Sequence, residues 1–320
     1  MITRDQRLSF EAQTVASGSA ATAQALAARL KTGLDPADLE ALAALWLHAS
    51  AAAPERLPAI YDASAGAWLG APVSAPAVVL ADAAPEAIPQ AFWDAYWDLL
   101  ETPGIMLDAG GVTQRTAALS GLLSGGLGAR VGKAALAYPG CAAAVDQGYP
   151  ERFTLAALSR CPRGSLGGEF HALIVDNGFD LEVLDREALG LAHMAPPLDY
   201  LNARILQCHD LWHIAAGYRT TSLHEVAISG FQMGQFGHHY SSMFLAMVLS
   251  RLAFERPEGG SLMLDIILAG WKHGRESPPL LGVDWPALWT LPTEDIRARL
   301  GLVPYASPWP ADLFEQLTAA

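Results

Sequence analysis

Apolar residues recur every three or four positions over most of the chain, whereas alternating runs of β-branched residues are rare. This spacing predicts helices and at most a stray hairpin. The first hundred residues are Ala-rich and predict helices over about 4–31 and 36–52. Asp35 is the predicted N-cap of the second helix, because Pro36 suits the first helical position. The pattern as a whole predicts an all-α protein.

A further helix is predicted over 89–101, where large apolar residues recur at helical spacing. We expect this face to pack into a core rather than to bind a cofactor. Its members are Phe92, Trp93, Tyr96, Trp97 and Leu100.

Glycine is frequent over 103–140, which indicates a loop or a tightly packed helix of small residues. We place a domain boundary near the start of this segment. The prediction is an Ala-rich helical extension over 1–105 and a second helical domain over 106–320.

A helix predicted to begin near Leu198 carries the residues whose chemistry is clearest. Its apolar positions are spaced by three and four residues and are followed by Gly217, a residue that commonly ends helices. His209 and His213 are one turn apart at the edge of this apolar stripe, so both imidazoles point the same way, as two ligands of one metal must. The stripe consists of Leu198, Leu201, Ile205, Cys208, Trp212 and Ala215.

A second helix is predicted to begin near Ser222, after a short connection, with Glu225 in its first turn. If the two helices form a hairpin, Glu225 faces the histidines, and two imidazoles with one carboxylate make a three-ligand site with open positions. Asp210 points about 100° further round the helix, where it is either a fourth ligand or a group that orients an imidazole. The alternative for Glu225 is a capping box with Ser222, which would be a purely structural role.

The segment 226–250 has no formally charged residue, but it contains too many polar groups for a membrane span. We predict a buried helix instead. Glycines at i, i+4 and i+7 could open a lipid-binding groove on it, or could allow another helix to pack closely, and the sequence favours neither. The predicted groove residues are Gly230, Phe231, Gly234, Gly237 and Met243, with Met233, Phe244 and Met247 as further apolar walls.

Composition excludes some classes of function and of protein. Of 320 residues, 52% are hydrophobic and 17% charged, and 20 Lys and Arg against 33 Asp and Glu give a net charge of −13. A nucleic-acid-binding protein needs a dense basic surface, which this chain lacks. Three scattered cysteines are too few for a disulfide framework, and the N-terminus lacks the apolar core of a secretory signal, so we expect a cytoplasmic protein.

The residues of the predicted metal site resemble those of the coenzyme Q (ubiquinone) biosynthesis protein 4 family. His209-Asp210-Leu211-Trp212-His213, eleven further residues and then Glu225 match its H-D-x-x-H-x(11)-E motif. The resemblance covers about 114–304. It includes Pro162-Arg163-Gly164-Ser165-Leu166-Gly167 and Asn177-Gly178-Phe179 upstream, and Trp271, Gly274, Leu280, Leu281, Trp285, Trp289, Pro292, Leu300 and Gly301 downstream.

The resemblance implies an all-α protein of ubiquinone synthesis with a hydrophobic lipid tunnel. His209, Asp210, His213 and Glu225 would be the metal-site positions, with zinc the ion that the family suggests and iron or cobalt compatible with the same ligands. The implied partners are a polyprenylated aromatic precursor, other ubiquinone biosynthesis proteins, the surface of the bacterial inner membrane and a second copy of the chain. The chain departs from the family at Gln232, where an acidic residue is expected, and over its first hundred residues.

Two functions follow from these expectations. The first is a metal-dependent enzyme that removes the ring carboxylate of a polyprenyl hydroxybenzoate and replaces it with a hydroxyl. The second is a non-catalytic scaffold that binds prenyl lipid and gathers the other biosynthetic enzymes. A zinc hydrolase is disfavoured, because the Asp of H-D-x-x-H reaches less well toward a metal-bound water than the Glu of H-E-x-x-H.

Overall fold

The computed structural model describes the chain except for Met1, Ser17, 106–108, Val183 and Ala320. Helices make up 66% of the described residues, and these residues contain no strand. The all-α prediction is therefore confirmed.

The α-helices of the described residues vary in length from one turn to five. In chain order they are α1 (Arg4–Val15), α2 (Ala20–Thr32), α3 (Pro36–Ala51), α4 (Leu57–Leu69), α5 (Gln90–Glu101), α6 (Ala109–Ser120), α7 (Gly125–Leu136), α8 (Cys141–Val145), α9 (Leu155–Leu158), α10 (Leu166–Asn177), α11 (Leu198–Ala216), α12 (Ser222–Phe236), α13 (His239–Glu255), α14 (Gly260–Glu276), α15 (Thr293–Leu300) and α16 (Leu313–Ala319).

The chain forms two compact units that do not follow one another in sequence. The first unit joins Met1–Ala135 to Ser229–Glu276, and the second joins Leu136–Ile228 to Ser277–Ala320. The split at 105/106 was derived from composition and resemblance, and it stays a prediction.

Local capping signals fix the first helices. The Asp35 carboxylate accepts a hydrogen bond from the Ala37 amide at 2.8 Å, which confirms it as the N-cap of α3. The continuous helix predicted over 4–31 is wrong, since α1 and α2 are separate and Ser19 caps α2 by accepting from the Thr22 amide. The competing cap at Ser19 outweighs the helical propensity of its Ala-rich surroundings.

The core of the first unit is rich in aromatic rings. α13 packs against α3, and α2 and α14 pack against α4. The predicted apolar face of α5 is buried as expected, and its Trp97 ring meets Phe10 of α1 edge to face at 5.5 Å. The Tyr96 hydroxyl donates to Ser250 Oγ of α13 at 2.7 Å, which satisfies a polar group in an apolar setting.

The single buried helix predicted over 226–250 is also wrong. α12 ends at Phe236, Gly237 takes φ +64°, and α13 begins at His239. Glycine reaches the left-handed region without steric penalty and so ends the helix. Of the helices that the structure describes, not one is both long enough and apolar enough to cross a lipid bilayer.

The glycines of α12 lie against the backbone of α14. A Cβ added at Gly230 would be 2.6 Å from the Ile267 carbonyl oxygen, and one at Gly234 would be 2.5 Å from that of Trp271. These positions therefore need glycine for close helix packing, which is one of the two interpretations of the sequence. The lipid-groove role of Gly230, Phe231, Gly234, Gly237 and Met243 stays a prediction, and Phe231 and Met243 are fully buried.

Replacing Gly234 by Ala should lower the free energy of unfolding by about 2 kcal/mol, because the added methyl meets backbone atoms that cannot turn away. Gly125→Ala is the matched control, since Gly125 begins α7 with no atom within 4 Å of an added Cβ. Urea denaturation followed by circular dichroism measures both. Equal stability of the two variants would contradict the close packing described here.

Candidate metal centre

The site lies in the second unit, on α11 and on the first turn of α12. The buried side of α11 carries Cys208, Leu211 and Trp212, all with no exposed surface, which turns the edge with His209 and His213 toward α12. Gly217 ends α11 with φ +81°, and its amide returns to the carbonyls of His213 and Ile214. The chain thus reverses direction where the sequence predicted it, and Glu225 faces the two imidazoles.

Donor atoms from three residues lie close together at this site. The Nε2 atoms of His209 and His213 are 3.3 Å apart. The first is 3.3 Å from Oε2 of Glu225, and the second is 3.3 Å from Oε1 of the same carboxylate. Bonds of about 2.0–2.1 Å to one ion at tetrahedral angles place two donors about 3.3–3.4 Å apart. These spacings therefore suit the ligands of a first-row divalent ion, and the donor set suits zinc, iron or cobalt.

Asp210 is the fourth predicted ligand position. One carboxylate oxygen of Asp210 and one ring nitrogen from each of His209 and His213 all lie within 4.8 Å of one another. Asp210 thus adds negative charge beside the imidazoles. Its position fits either sequence-based role, a fourth ligand or an orienting group.

Glu225 and the imidazole of His209 stabilise each other's charged form. Burial raises the pKa of Glu225, but the neighbouring imidazoles of His209 and His213 outweigh burial and hold that pKa well below its ordinary value. Burial lowers the pKa of His209, yet the hydrogen bond and charge of Glu225 raise it overall. Burial is the main reason that the pKa of Asp210 is raised. The site therefore holds an ionised carboxylate, that of Glu225, which can bind a cation.

Solvent reaches the site from one side. The Glu225 side chain is 45% exposed and His209 is 17% exposed, whereas His213 is fully enclosed. A ligand could approach past Glu225 while His213 stays fixed by its surroundings.

The capping-box alternative for Glu225 is wrong. Ser222 is the first residue of α12, and its amide and hydroxyl both donate to Glu315 Oε1 at 2.9 Å. The carboxylate that caps this helix therefore comes from α16, and Glu225 is left to bind the imidazoles.

The end of α11 is held by residues that the sequence did not single out. The Arg297 guanidinium donates to the carbonyls of Ile214 and Ala215, and the Tyr305 amide donates to that of Ala216. Pro304 lies so close to Gly217 that an added Cβ there would be 2.9 Å from it. No local sequence signal links positions so far apart in the chain.

Aromatic rings enclose the connection between the helices. Tyr218 and Tyr305 stack with ring centroids 4.4 Å apart, and His224 meets both rings edge-on. His224 is a core residue with 4% exposure. Burial lowers its pKa.

Comparison with known proteins points to one family. A sequence profile of the coenzyme Q (ubiquinone) biosynthesis protein Coq4 family matches residues 149–306, which include the whole hairpin. The mitochondrial ubiquinone biosynthesis protein COQ4 homologue of Drosophila ananassae is 25% identical over 146 residues, 45% of this chain and 53% of that protein. The Mus musculus homologue is 26% identical over 157 residues, 47% of this chain and 54% of that protein. The chain thus spans about half the length of these curated relatives.

A solved structure shares the fold. The crystal structure of a protein from Nostoc punctiforme, described as a ubiquinone biosynthesis protein, aligns with a TM-score of 0.50 and 21% identity. The alignment covers 67% of this chain and 97% of that one. At this identity the likeness supports the helical architecture alone.

Glu315→Ala should lower the free energy of unfolding by about 1 kcal/mol at neutral pH, because the first turn of α12 loses its cap. The Ser222 amide is the main cause of the lowered pKa of Glu315. The stabilisation is therefore complete above the pKa of an unfolded Glu and is lost as the pH falls through the lower folded value.

Urea denaturation at a series of pH values tests the role of Glu315. Asp180→Ala, at an exposed acidic residue of the same unit, is the control and should change stability little. A difference between wild type and Glu315→Ala that does not shrink in acid would rule out the carboxylate as the cap.

Proposed function

Residues 149–306 belong to the coenzyme Q (ubiquinone) biosynthesis protein Coq4 family, and on that premise we propose that the chain acts in ubiquinone biosynthesis as a metal-dependent oxidative decarboxylase. The substrate would be a polyprenylated hydroxybenzoate. Its ring carboxylate would leave as carbon dioxide, and one atom of dioxygen would become the new hydroxyl. Two electrons from a separate reductant, with two protons, would reduce the other oxygen atom to water. The observation that supports this most directly is the cluster of donor atoms from His209, His213 and Glu225.

A divalent ion held by His209, His213 and Glu225, with Asp210 beside it, would supply Lewis-acid chemistry for the carboxylate and phenolate oxygens of such a ring. The exposure of Glu225 leaves the donor cluster accessible to a ring that approaches from solvent. The enclosed His213 holds its position through packing. Zinc is the ion that family resemblance suggests, and the same donors suit iron and cobalt.

The proposed setting is the surface of a bacterial inner membrane, with other ubiquinone biosynthesis proteins and a second copy of the chain as partners. The net charge of −13 disfavours docking through basic patches on anionic lipid. Attachment through apolar side chains is the better match. The second unit exposes several, namely Leu155, Val175, Phe179, Val303 and Trp309.

Metal binding is the first test of the proposal. Protein purified without oxygen should hold one divalent ion per chain, measured by elemental analysis. His213→Ala and Glu225→Gln should lower the affinity for added Co²⁺ by more than about 100-fold, since losing groups outside the ligand set already costs 10–100-fold. His193→Ala, at an exposed histidine, should bind like the wild type. Wild-type affinity in all three variants would refute the site.

The chemical role needs a test in cells. Deleting the gene should cause the carboxylated, prenylated ring to accumulate, as measured by mass spectrometry of lipid extracts. Wild type and His193→Ala should restore the quinone, and His213→Ala should not. Normal quinone levels with His213→Ala, in protein shown to have lost the metal, would overturn the catalytic role and favour the prenyl-lipid scaffold.

A further inference from the structure

The backbone of Arg219 lies between two buried histidines. Its carbonyl oxygen is 3.2 Å from Nδ1 of His213, and its amide donates to Nδ1 of His224 at 2.8 Å. The Arg219 side chain is exposed, whereas the two imidazoles are 1% and 4% exposed. The backbone of one residue on the outside of the connection is thus hydrogen-bonded on both sides of its Cα, once to each ring.

These two bonds fix the proton positions on both rings. A carbonyl oxygen only accepts, so the Nδ1 of His213 must carry the proton that it donates to Arg219. The other nitrogen, Nε2, is the atom that faces His209 and Glu225, and in the neutral ring with its proton on Nδ1 this atom has the lone pair that a metal ion needs. The Nδ1 of His224 accepts, so the proton of that neutral ring is on Nε2, which has no hydrogen-bond partner among the described residues.

Two tyrosine rings pack around His224 and hold its imidazole in one orientation. The ring centroids of Tyr218 and Tyr305 are 6.0 Å and 5.4 Å away, both near perpendicular to the imidazole. A ring packed in this way keeps Nδ1 aimed at the Arg219 amide.

We propose that His224 is a positioning residue for His213, which it orients through the backbone of Arg219. By accepting the Arg219 amide, His224 aims the Arg219 carbonyl at the Nδ1 of His213, and this selects the tautomer whose Nε2 can bind a metal. This inference rests on the proposed function, because orienting His213 matters only if His213 binds a metal. The hydrogen bonds from which it is argued can be tested separately, in protein prepared without metal.

Four side chains at position 224, those of His, Asn, Gln and Phe, distinguish the effect of the Nδ1 acceptor from the effect of an aromatic ring. Asn places its oxygen where Nδ1 of His lies, whereas Gln places its oxygen near the Nε2 position. His224→Phe keeps a flat ring between the tyrosines but removes the acceptor. His224→Asn should therefore behave like the wild type, and His224→Gln and His224→Phe should not. His193→Gln, at an exposed site, controls for the amide substitution.

Long-range proton–nitrogen NMR of nitrogen-15-histidine-labelled, metal-free protein reports the tautomer of His213, assigned with His213→Ala. The Nδ1–H form should dominate in wild type, His224→Asn and His193→Gln, and should lose its dominance in His224→Gln and His224→Phe. The affinity for Co²⁺ should fall by about 10–100-fold in those last two variants. Circular dichroism checks folding, and if His224→Phe does not fold, the Asn and Gln pair still decides.

Each other result contradicts the proposal. An Nε2–H tautomer in wild type, an unchanged tautomer in His224→Gln, or a loss in His224→Asn equal to that in His224→Gln would show that the Nδ1 acceptor does not orient His213. If the tautomers follow the expected order but wild type binds no Co²⁺, the positioning role stands and the proposed metal function fails.

Discussion

A helix that ends inside a protein leaves carbonyl groups that need hydrogen-bond donors, and the metal-site hairpin depends on how this need is met. At the end of α11 the donors are Arg297 and the amide of Tyr305. At the start of α12 the exposed amide of Ser222 finds its acceptor in Glu315. These contacts fix where the chain turns, and so they set the separation of Glu225 from the histidines. The C-terminal segment therefore belongs to the site although it contributes no ligand.

Much of the hairpin could be predicted because its signals are local. The spacing of His209 and His213 places them on one face of α11, and Gly217 marks its end. The contacts of Arg297 and Glu315 could not be predicted, because they join residues about eighty to ninety positions apart and follow no periodicity. His224 was missed for a different reason. Its significance comes from a hydrogen bond to a backbone amide, and a sequence pattern carries no trace of such a bond.

The glycines of α12 show how one pattern can have two physical causes. Gly230 and Gly234 allow the α14 backbone to approach, whereas Gly237 supplies a left-handed turn that ends the helix. On a helical wheel all three lie on one side, which suggested a continuous groove. The wheel assumes an unbroken helix, and that assumption fails at the third glycine. The same change of backbone direction separates α12 from α13, which a count of apolar residues alone would join.

The stacked rings of Tyr218 and Tyr305 have a consequence for the thermodynamics of ion capture. Their packing orders the connection between the two helices through side chains that are not among the proposed metal ligands. Fixing the backbone of one residue costs about 1–2 kcal/mol of conformational entropy. In this chain that cost is met during folding by aromatic packing, so it does not reduce the affinity for an incoming ion. Selectivity among ions would then reflect bond strength and preferred coordination, with little contribution from any ordering of the loop.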